Sequence, residues 1–288
     1  ACSYCTIPRI KGRYQSYPID EIVDEAKYLA DNGVKELIVV AQDVTRYGED
    51  LYGKNRLVEL CQRLAKIDKI KWIRLHYAYP EKTDDNLLNF IEEEPKMCKY
   101  LDIPLQHIDD RILKSMRRRM SEEDTRKLID KLTSEYHNIE LRTTFIVGYP
   151  SETKSDFEKL CDFVERTRFD YAGFFPYYRE ENTPSYFMED QVSQFTKKRR
   201  LKKIQKIQSN VVTEKAKEKI GKVFTVLVDY FDENTGLYVG HTEFLSPTVD
   251  FGVEIVDNEN VKVGEFVTVK FIDFDGENYK GVYYESSK

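Results

Sequence analysis

Residues 19–41, with the sequence IDEIVDEAKYLADNGVKELIVVA, contain the pattern that decides the fold. Apolar residues recur at helical spacing over residues 19–32, and Gly33 is a typical stop at the end of a helix. Residues 34–41 follow as a short apolar strand. A helix that is separated by a single glycine from an apolar strand is typical of α/β proteins, in which helices cover a parallel sheet.

The same alternation continues to about residue 220. Further strands are predicted at residues 71–77, 100–105, 141–147 and 171–176. Further helices are predicted at residues 56–67, 83–93, 109–116, 121–136, 154–166 and 194–220. Thr83 is the expected N-cap of one helix, and Ser121 with Asp124 resembles a capping box at another. Strands and helices of these lengths predict βαβ units around a parallel sheet or barrel, whose sixth strand would have to precede Ala1.

The pattern changes after Gly221. Short strands are predicted at residues 223–230, 237–239, 249–256, 266–271 and 279–284. Polar turns separate them at residues 232–236, 257–260 and 275–278. Five antiparallel strands with such turns predict a small β-barrel of the OB-like type. The predicted domains are therefore residues 1–221 and 222–288.

Charge is divided unevenly between these two domains. The chain carries a net charge of −6. Residues 222–288 contain 5 lysines and 13 acidic residues, whereas the remainder contains 40 basic and 38 acidic residues. A nucleic-acid module needs positive charge to displace counterions. The second domain is therefore expected to be repelled by RNA and attracted to a basic protein.

The five cysteines indicate the cellular setting and one candidate site. An odd number without the density of a disulfide scaffold predicts a reducing, cytoplasmic environment. No stretch approaches the roughly 20 apolar residues that a membrane span requires. Cys61, Cys98 and Cys161 lie far apart in apolar, helical settings, so they are expected to be small packed side chains.

Cys2 and Cys5 form a close CxxC pair in the segment ACSYC, residues 1–5. Alone, such a pair is ambiguous, because it is compatible with half a zinc site, a thioredoxin-type redox pair or no function. Zinc would require another pair of thiolates or imidazoles, and a thioredoxin motif should open a helix after a strand. The pair is also compatible with the end of a CxxxCxxC motif, whose first cysteine would lie three residues before Ala1.

Several segments resemble motifs of the radical S-adenosylmethionine methylthiotransferase family. They are CTIPRIKGRYQS at 5–16, AQDVTRYG at 41–48, LDIPLQH at 101–107, RTTFIVGYP at 142–150 and FFPYYREENTP at 174–184. Ser151 and Asn182 stand where the family patterns have glycine. The second and third segments resemble the branch that modifies a ribosomal protein more than the branch that modifies tRNA. Residues 222–288 resemble a TRAM domain, so the resemblance covers nearly the whole chain.

The resemblance implies a partial (β/α) radical SAM barrel followed by a TRAM barrel. It implies that Cys2 and Cys5 bind a [4Fe–4S] cluster, with a third cysteine upstream of this chain. The expected contacts of S-adenosylmethionine (SAM) are Tyr4, Gln42, Gln106, Arg142 and Thr144. The last four are expected at or near carboxyl ends of strands, where parallel α/β barrels carry their active sites. Arg142 would hold the carboxylate of SAM through a bidentate pair, or would form a salt bridge to a neighbouring carboxylate.

Other polar residues are given structural roles. His107 is expected to be structural rather than a cofactor contact. The basic runs at residues 117–119 and 197–203 are expected to be solvated, with phosphate or cofactor contact as the alternative for the first and a nucleic-acid role as the alternative for the second.

The resemblance also implies a reaction, in which a methylthio group is added to the β-carbon of an aspartate in protein twelve of the small ribosomal subunit. An electron donor and a second [4Fe–4S] cluster would be needed, the latter in an N-terminal domain that residues 1–288 lack. The chain is thus expected to be a core fragment. Two alternatives stay open, a tRNA adenosine methylthiotransferase and a non-enzymatic zinc or RNA-binding module.

Overall fold

The computed structural model describes residues 2–256 and 261–285. Five parallel strands form one sheet in sequence order, β1 (Glu36–Val39), β2 (Trp72–Leu75), β3 (Met97–Gln106), β4 (Glu140–Val147) and β5 (Tyr171–Pro176). This order confirms the predicted parallel α/β sheet, with β1 and β5 at its edges. No helix in the described part of the chain is both long enough and apolar enough to cross a membrane. The predicted turn at residues 257–260 lies outside the described residues.

The helices precede, connect or follow these strands. They are α1 (Ile7–Lys11), α2 (Ile19–Asp31), α3 (Glu49–Tyr52), α4 (Leu57–Ala65), α5 (Asp85–Glu93), α6 (Asp110–Ser115), α7 (Glu122–Glu135), α8 (Lys154–Thr167) and α9 (Gln194–Lys219). The capping box predicted for α7 is present, because Ser121 and Asp124 bond to each other's backbone. The N-cap predicted for α5 was wrong. The helix begins one residue later than expected, so Asp84 caps it, and the Thr83 hydroxyl donates to the Tyr79 carbonyl instead.

The two faces of the sheet pack against different partners, because successive side chains of a strand point to opposite sides. Leu101, Ile103 and Phe145 belong to the main core, which the helices cover. Tyr100 and Tyr171 point the other way, onto the C-terminal strands. We call this second side the inner face of the sheet.

The C-terminal strands close into a barrel. They are β6 (Val223–Asp232), β7 (Leu237–His241), β8 (Gly252–Ile255), β9 (Phe266–Phe274) and β10 (Asn278–Tyr283), arranged in the ring order β10-β8-β7-β6-β9. We call residues 223–256 and 261–285 the C-terminal barrel. The prediction that all its strands pair antiparallel was wrong for one pair, since β8 and β10 are parallel. A closed ring of five strands cannot alternate direction throughout, so one parallel pair is unavoidable.

A buried ionic network fastens the sheet to the C-terminal barrel. Arg74 is 0% exposed, and it donates to Glu36 at 2.8 Å and to the carbonyls of Glu243 and Thr242 at 2.8 and 3.1 Å. His241 lies between Glu36 and Asp229 and contacts both carboxylates. Burial alone would raise the pKa of Glu36, but its contacts with His241 and Arg74 outweigh that effect and lower it. Charged partners on both sides therefore stabilise the contact between the two parts.

Helix α9 is attached to the sheet by two basic residues that were expected to be solvated. Lys197 is 2% exposed and Arg200 is 8% exposed. The Lys197 ammonium donates to the Tyr177 carbonyl at 2.8 Å, and Arg200 donates to the Glu152 carboxylate at 2.7 Å. The solvated interpretation was wrong for these two, because their polar partners belong to distant loops. It was right for the other basic residues of the run, Lys198, Arg199, Lys202 and Lys203, which are exposed.

The division of the chain near residue 221 stays a proposal. Helix α9 ends at Lys219 and β6 begins at Val223, in keeping with a boundary between them.

Gly148→Ala should destabilise the protein more than Gly221→Ala. Both glycines have positive φ angles, +74° and +84°, so alanine at either position costs about 1–2 kcal/mol of backbone strain. A Cβ at position 148 would also overlap the Cγ of Lys197, whereas no atom lies within 4 Å of one at position 221. We expect the Gly148 variant to lose about 1–3 kcal/mol more in urea unfolding. Equal losses would contradict the close packing of Lys197 on Gly148.

His241 should make stability depend on pH. Burial alone would lower its pKa, but hydrogen bonds and charges from Asp229 and Glu36 outweigh burial and raise it above the ordinary value of 6.5. Its stabilising effect is therefore full below about pH 6.5 and is lost as pH rises through the folded-state pKa. The free energy of unfolding of His241→Gln should fall below wild type by about 2 kcal/mol at low pH. This difference should shrink at higher pH, and a difference that is constant or grows would contradict the prediction. The exposed His137→Gln is the control.

Candidate functional site

The segment that carries Cys2 and Cys5, which we call the cysteine loop (residues 2–5), is anchored through Ser3. Ser3 is 3% exposed. Its hydroxyl donates to the Ser115 carbonyl at 2.7 Å and lies 2.8 Å from the Tyr149 hydroxyl. Its backbone N–H donates to the Met116 carbonyl at 3.1 Å, and its carbonyl accepts from the Ser185 N–H at 3.0 Å.

These partners follow the carboxyl ends of β3, β4 and β5. The cysteine loop therefore lies at the carboxyl edge of the sheet, where parallel α/β folds carry their active sites. Ser3 was not among the predicted site residues, although its position between the two cysteines was a signal.

Both cysteines of the loop are half-buried free thiols. Arg118 approaches Cys2, with 4.0 Å between its Nη1 and the Cys2 Sγ. Tyr79 is also close. Burial, and after it the charge of Cys2, raises the pKa of Tyr79 to about 12. The Tyr4 ring packs edge-on against Tyr149, with the ring centroids 6.3 Å apart. The Arg118 guanidinium thus lies beside the Cys2 sulfur, and the phenols of Tyr4 and Tyr79 are near it.

The predicted SAM contacts are spread along the sheet. Gln42 is exposed in the loop after β1, and Gln106 is the last residue of β3. Gln106 has a φ angle of +72°, a strained conformation of the kind that clusters at functional sites. Thr144 lies in the middle of β4, and Arg142 lies near its amino end. The expectation that Arg142 lies near the carboxyl edge was wrong, because β4 begins at Glu140.

Arg142 already has two carboxylate partners on the inner face of the sheet. Its Nη1 lies 3.1 Å from Asp102, and its Nε lies 3.2 Å from Asp250 of the C-terminal barrel. Asp250 also accepts from the Tyr100 hydroxyl at 2.7 Å. These contacts correspond to the salt-bridge alternative of the sequence analysis. Binding of the SAM carboxylate by Arg142 stays a prediction.

A cavity of about 490 Å³ adjoins Arg142. It lies between β5, helix α9 and the C-terminal barrel, with Gly173, Gln208 and Phe251 among its walls. Neither Cys2 nor Cys5 lines it. We therefore place the candidate site at the cysteine loop, where the metal-binding side chains are, and not in this cavity.

The other residues weighed from the sequence fall into two groups. His107 is buried, accepts from the Asp109 N–H at 3.0 Å and lies 3.7 Å from Glu152, as suits a structural role. Cys61, Cys98 and Cys161 are buried in α4, β3 and α8 respectively, so the helical setting expected for Cys98 was wrong. Burial raises the pKa of Cys61 to about 12 and that of Cys161 to about 11, which keeps both as neutral packed thiols.

The cysteine loop fits an iron–sulfur cluster better than a zinc ion. In residues 2–256 and 261–285, no three His, Cys, Asp or Glu side chains are grouped to hold a metal. A structural zinc site therefore lacks its second pair of ligands among them. Two half-buried thiols beside a guanidinium suit a group that is anionic and thiolate-bound. The third cysteine upstream of Ala1 stays a prediction.

Comparison with known proteins agrees with this fold. Residues 1–164 match the family model of the Radical SAM superfamily, and residues 220–282 match that of the TRAM domain. The chain therefore belongs to the radical SAM superfamily. Membership implies a [4Fe–4S] cluster and SAM. Coproporphyrinogen III oxidase HemN from Escherichia coli shares the fold, with a TM-score of 0.52 and 16% identity over 73% of this chain and 50% of that one.

Curated relatives are more similar. The ribosomal protein uS12 methylthiotransferase RimO of Acetivibrio thermocellus is 44% identical over 100% of this chain and 64% of its own length. RimO of Flavobacterium johnsoniae is 47% identical over 94% of this chain and 62% of its own length. The chain thus spans less than two thirds of the length of these relatives.

Ser3→Ala should loosen the cysteine loop. The substitution removes the hydroxyl that lies between the Ser115 carbonyl and the Tyr149 hydroxyl, which should cost about 1–3 kcal/mol. Urea unfolding measures the loss, and hydrogen exchange at the N–H of Ser3 reports whether the loop itself opens. The exposed Ser209→Ala is the control, with an expected change within about 0.5 kcal/mol. Equal stabilities and equal exchange would show that the loop does not depend on Ser3.

Proposed function

We propose that this chain contains the radical core and the TRAM domain of a methylthiotransferase that modifies an aspartate of ribosomal protein uS12. The observation that carries the proposal is the extent of the similarity to RimO proteins. With the protein of Acetivibrio thermocellus it covers all 288 residues, from the cysteine loop to the acidic C-terminal barrel. The proposed substrate is a ribosomal protein, so the proposed location is the cytoplasm.

The cysteine loop is the proposed place of the radical chemistry. Cys2 and Cys5 would supply two thiolates to a [4Fe–4S] cluster. When bound, that cluster supplies the electron that cleaves SAM and starts radical chemistry. Tyr4, Gln42, Gln106, Arg142 and Thr144 are the proposed SAM contacts. The third cysteine, a second [4Fe–4S] cluster and its N-terminal domain are proposed to lie upstream of Ala1, and a separate electron donor is required.

The protein's own contribution is position and shielding. Ser3 fixes the cysteine loop over three strand ends. The C-terminal barrel covers the amino half of the inner face, because Trp72, Tyr100 and Tyr171 share its core. The carboxyl half of that face, next to the cysteine loop, is therefore the proposed space for cofactor and substrate. No acid–base pair is proposed, since abstraction of a hydrogen atom does not require one.

Surface charge supports a basic protein as the substrate. The exposed acidic residues of the C-terminal barrel are Glu233, Glu265, Asp273, Asp275, Glu277 and Glu285. Asp229 and Asp250 are instead paired internally with His241 and Arg142. An exposed acidic surface attracts a cationic protein and repels nucleic acid.

A tRNA substrate is the second candidate. The exposed Lys198, Arg199, Lys202 and Lys203 of helix α9 favour it, because a row of basic side chains can contact phosphates. It predicts RNA binding with a steep dependence on salt.

The test uses the protein extended upstream, reconstituted anaerobically with iron and sulfide. It is incubated with dithionite, SAM, whole small ribosomal subunits and tRNA, and intact masses are then compared. A methylthio increment on one basic ribosomal protein is expected. An increment on tRNA alone would overturn the substrate. If neither appears although 5′-deoxyadenosine forms, the radical chemistry stands and the proposed substrate is wrong.

Charge variants test the role of the acidic surface. Asp273→Asn, Asp275→Asn and Glu277→Gln together should raise KM for the ribosomal subunit about tenfold at unchanged kcat, since each exposed charge contributes up to about 1 kcal/mol. Lys198→Gln with Arg199→Gln is the matched control and should leave KM unchanged. The reverse pattern would assign binding of the subunit to the basic side chains of helix α9 and would contradict the role of the acidic surface.

A further inference from the structure

Arg118 is the buried member of a run of three arginines. Arg117 and Arg119 are exposed, whereas Arg118 is 9% exposed. The reason lies in the end of helix α6. Arg117 has a φ angle of +60°, the Arg118 N–H donates to the Leu113 carbonyl at 2.9 Å, and the Arg117 N–H donates to the Lys114 carbonyl at 3.0 Å. This pair of bonds is a Schellman motif, which turns the chain and directs Arg118 back toward the sheet.

Three contacts fix the Arg118 guanidinium. Its Nη2 donates to the Pro104 carbonyl near the end of β3 at 2.7 Å. Its central carbon lies 4.5 Å from the centroid of the Tyr79 ring. Its Nη1 lies 4.0 Å from the Cys2 Sγ. The planar guanidinium group of Arg118 is therefore held with one edge toward the cysteine loop.

The charge of Arg118 has no carboxylate partner in the described part of the chain. The other two buried arginines of that part, Arg74 and Arg200, pair with Glu36 and Glu152, and the half-buried Arg142 pairs with Asp102 and Asp250. In residues 2–256 and 261–285, no Asp or Glu oxygen lies within 4.0 Å of the Arg118 nitrogens. An unpaired buried cation is strongly unfavourable, because its hydration is lost without compensation. An anion beside Arg118 would balance its charge, and the nearest candidate is the thiolate of Cys2.

We propose that Arg118 is the built-in counter-ion of the iron–sulfur cluster and raises its reduction potential. The proposal rests on the cluster of the proposed function, and not on its substrate. Three thiolates give the oxidised cluster a net negative charge, and reduction adds one more electron. A fixed cation in a low-dielectric site stabilises the more negative state more strongly. Hydrogen bonds toward cluster sulfurs act in the same direction.

The experiment measures the midpoint potential of the cluster at Cys2 and Cys5 in the reconstituted full-length protein, without substrate. The cysteines that hold the second cluster in the upstream domain are replaced by alanine in every variant, so that only this cluster gives a signal. Dithionite titration followed by electron paramagnetic resonance reads the reduced cluster. Arg118→Gln should make reduction at least tenfold less favourable, which corresponds to a shift of about 59 mV to more negative potential for one electron. Arg117→Gln and Arg119→Gln are the matched controls and should leave the potential unchanged.

Arg118→Lys provides a second variant if the glutamine variant does not retain its cluster. Lysine keeps the positive charge but lacks the planar, fixed N–H groups of a guanidinium. Relative to Arg117→Lys, we expect the midpoint potential of Arg118→Lys to be more negative, by less than the shift of Arg118→Gln. A potential equal to that of the controls overturns the proposal. Weaker SAM binding at unchanged potential also overturns it, and assigns Arg118 to the cofactor carboxylate instead. A shifted potential without methylthio transfer leaves the proposal standing while the substrate fails.

Discussion

Strands β1 to β5 pair in parallel, so all their carboxyl ends lie at one edge of the sheet and all their amino ends lie at the other. The other parts of the molecule pack differently against these two edges. The amino half of the inner face is occupied, because Arg74, Tyr100 and Arg142 are bonded to the C-terminal barrel. The carboxyl edge carries the cysteine loop.

Local patterns in the sequence predicted the elements of the fold well. The apolar strands and amphipathic helices are of a length that periodicity detects, and the capping box of α7 depends on residues only three apart. The N-cap of α5 was missed by one residue, since Thr83 and Asp84 both suit a cap and only the observed start of the helix selects Asp84. The parallel strand pair of the C-terminal barrel could have been predicted from the sequence, because a closed ring of five strands requires at least one such pair.

The residues of the candidate site were predicted less completely than the fold. The errors at three basic residues have the same physical cause. Cys2 and Cys5 could be predicted as cluster ligands because their spacing is itself the motif, and their role stays a proposal. Arg118, Lys197 and Arg200 were missed because a long basic side chain is usually solvated. Their burial depends on a carbonyl or thiol contributed by a distant segment. Composition cannot show such a partner, and neither can periodicity.

The contacts of Ser3 have a consequence for biosynthesis. Its hydrogen-bond partners Ser115 and Tyr149 lie 112 and 146 residues further along the chain, and Ser185 lies further still. Contacts of such long sequence separation form late, since the intervening chain must first be ordered. During translation the N-terminal part of a chain leaves the ribosome first. The cysteine loop therefore lacks part of its hydrogen-bond partners until Ser185 has been synthesised. Its cysteines are thus made well before the residues that fix their positions, and iron loading at an ordered site must follow translation of the sheet.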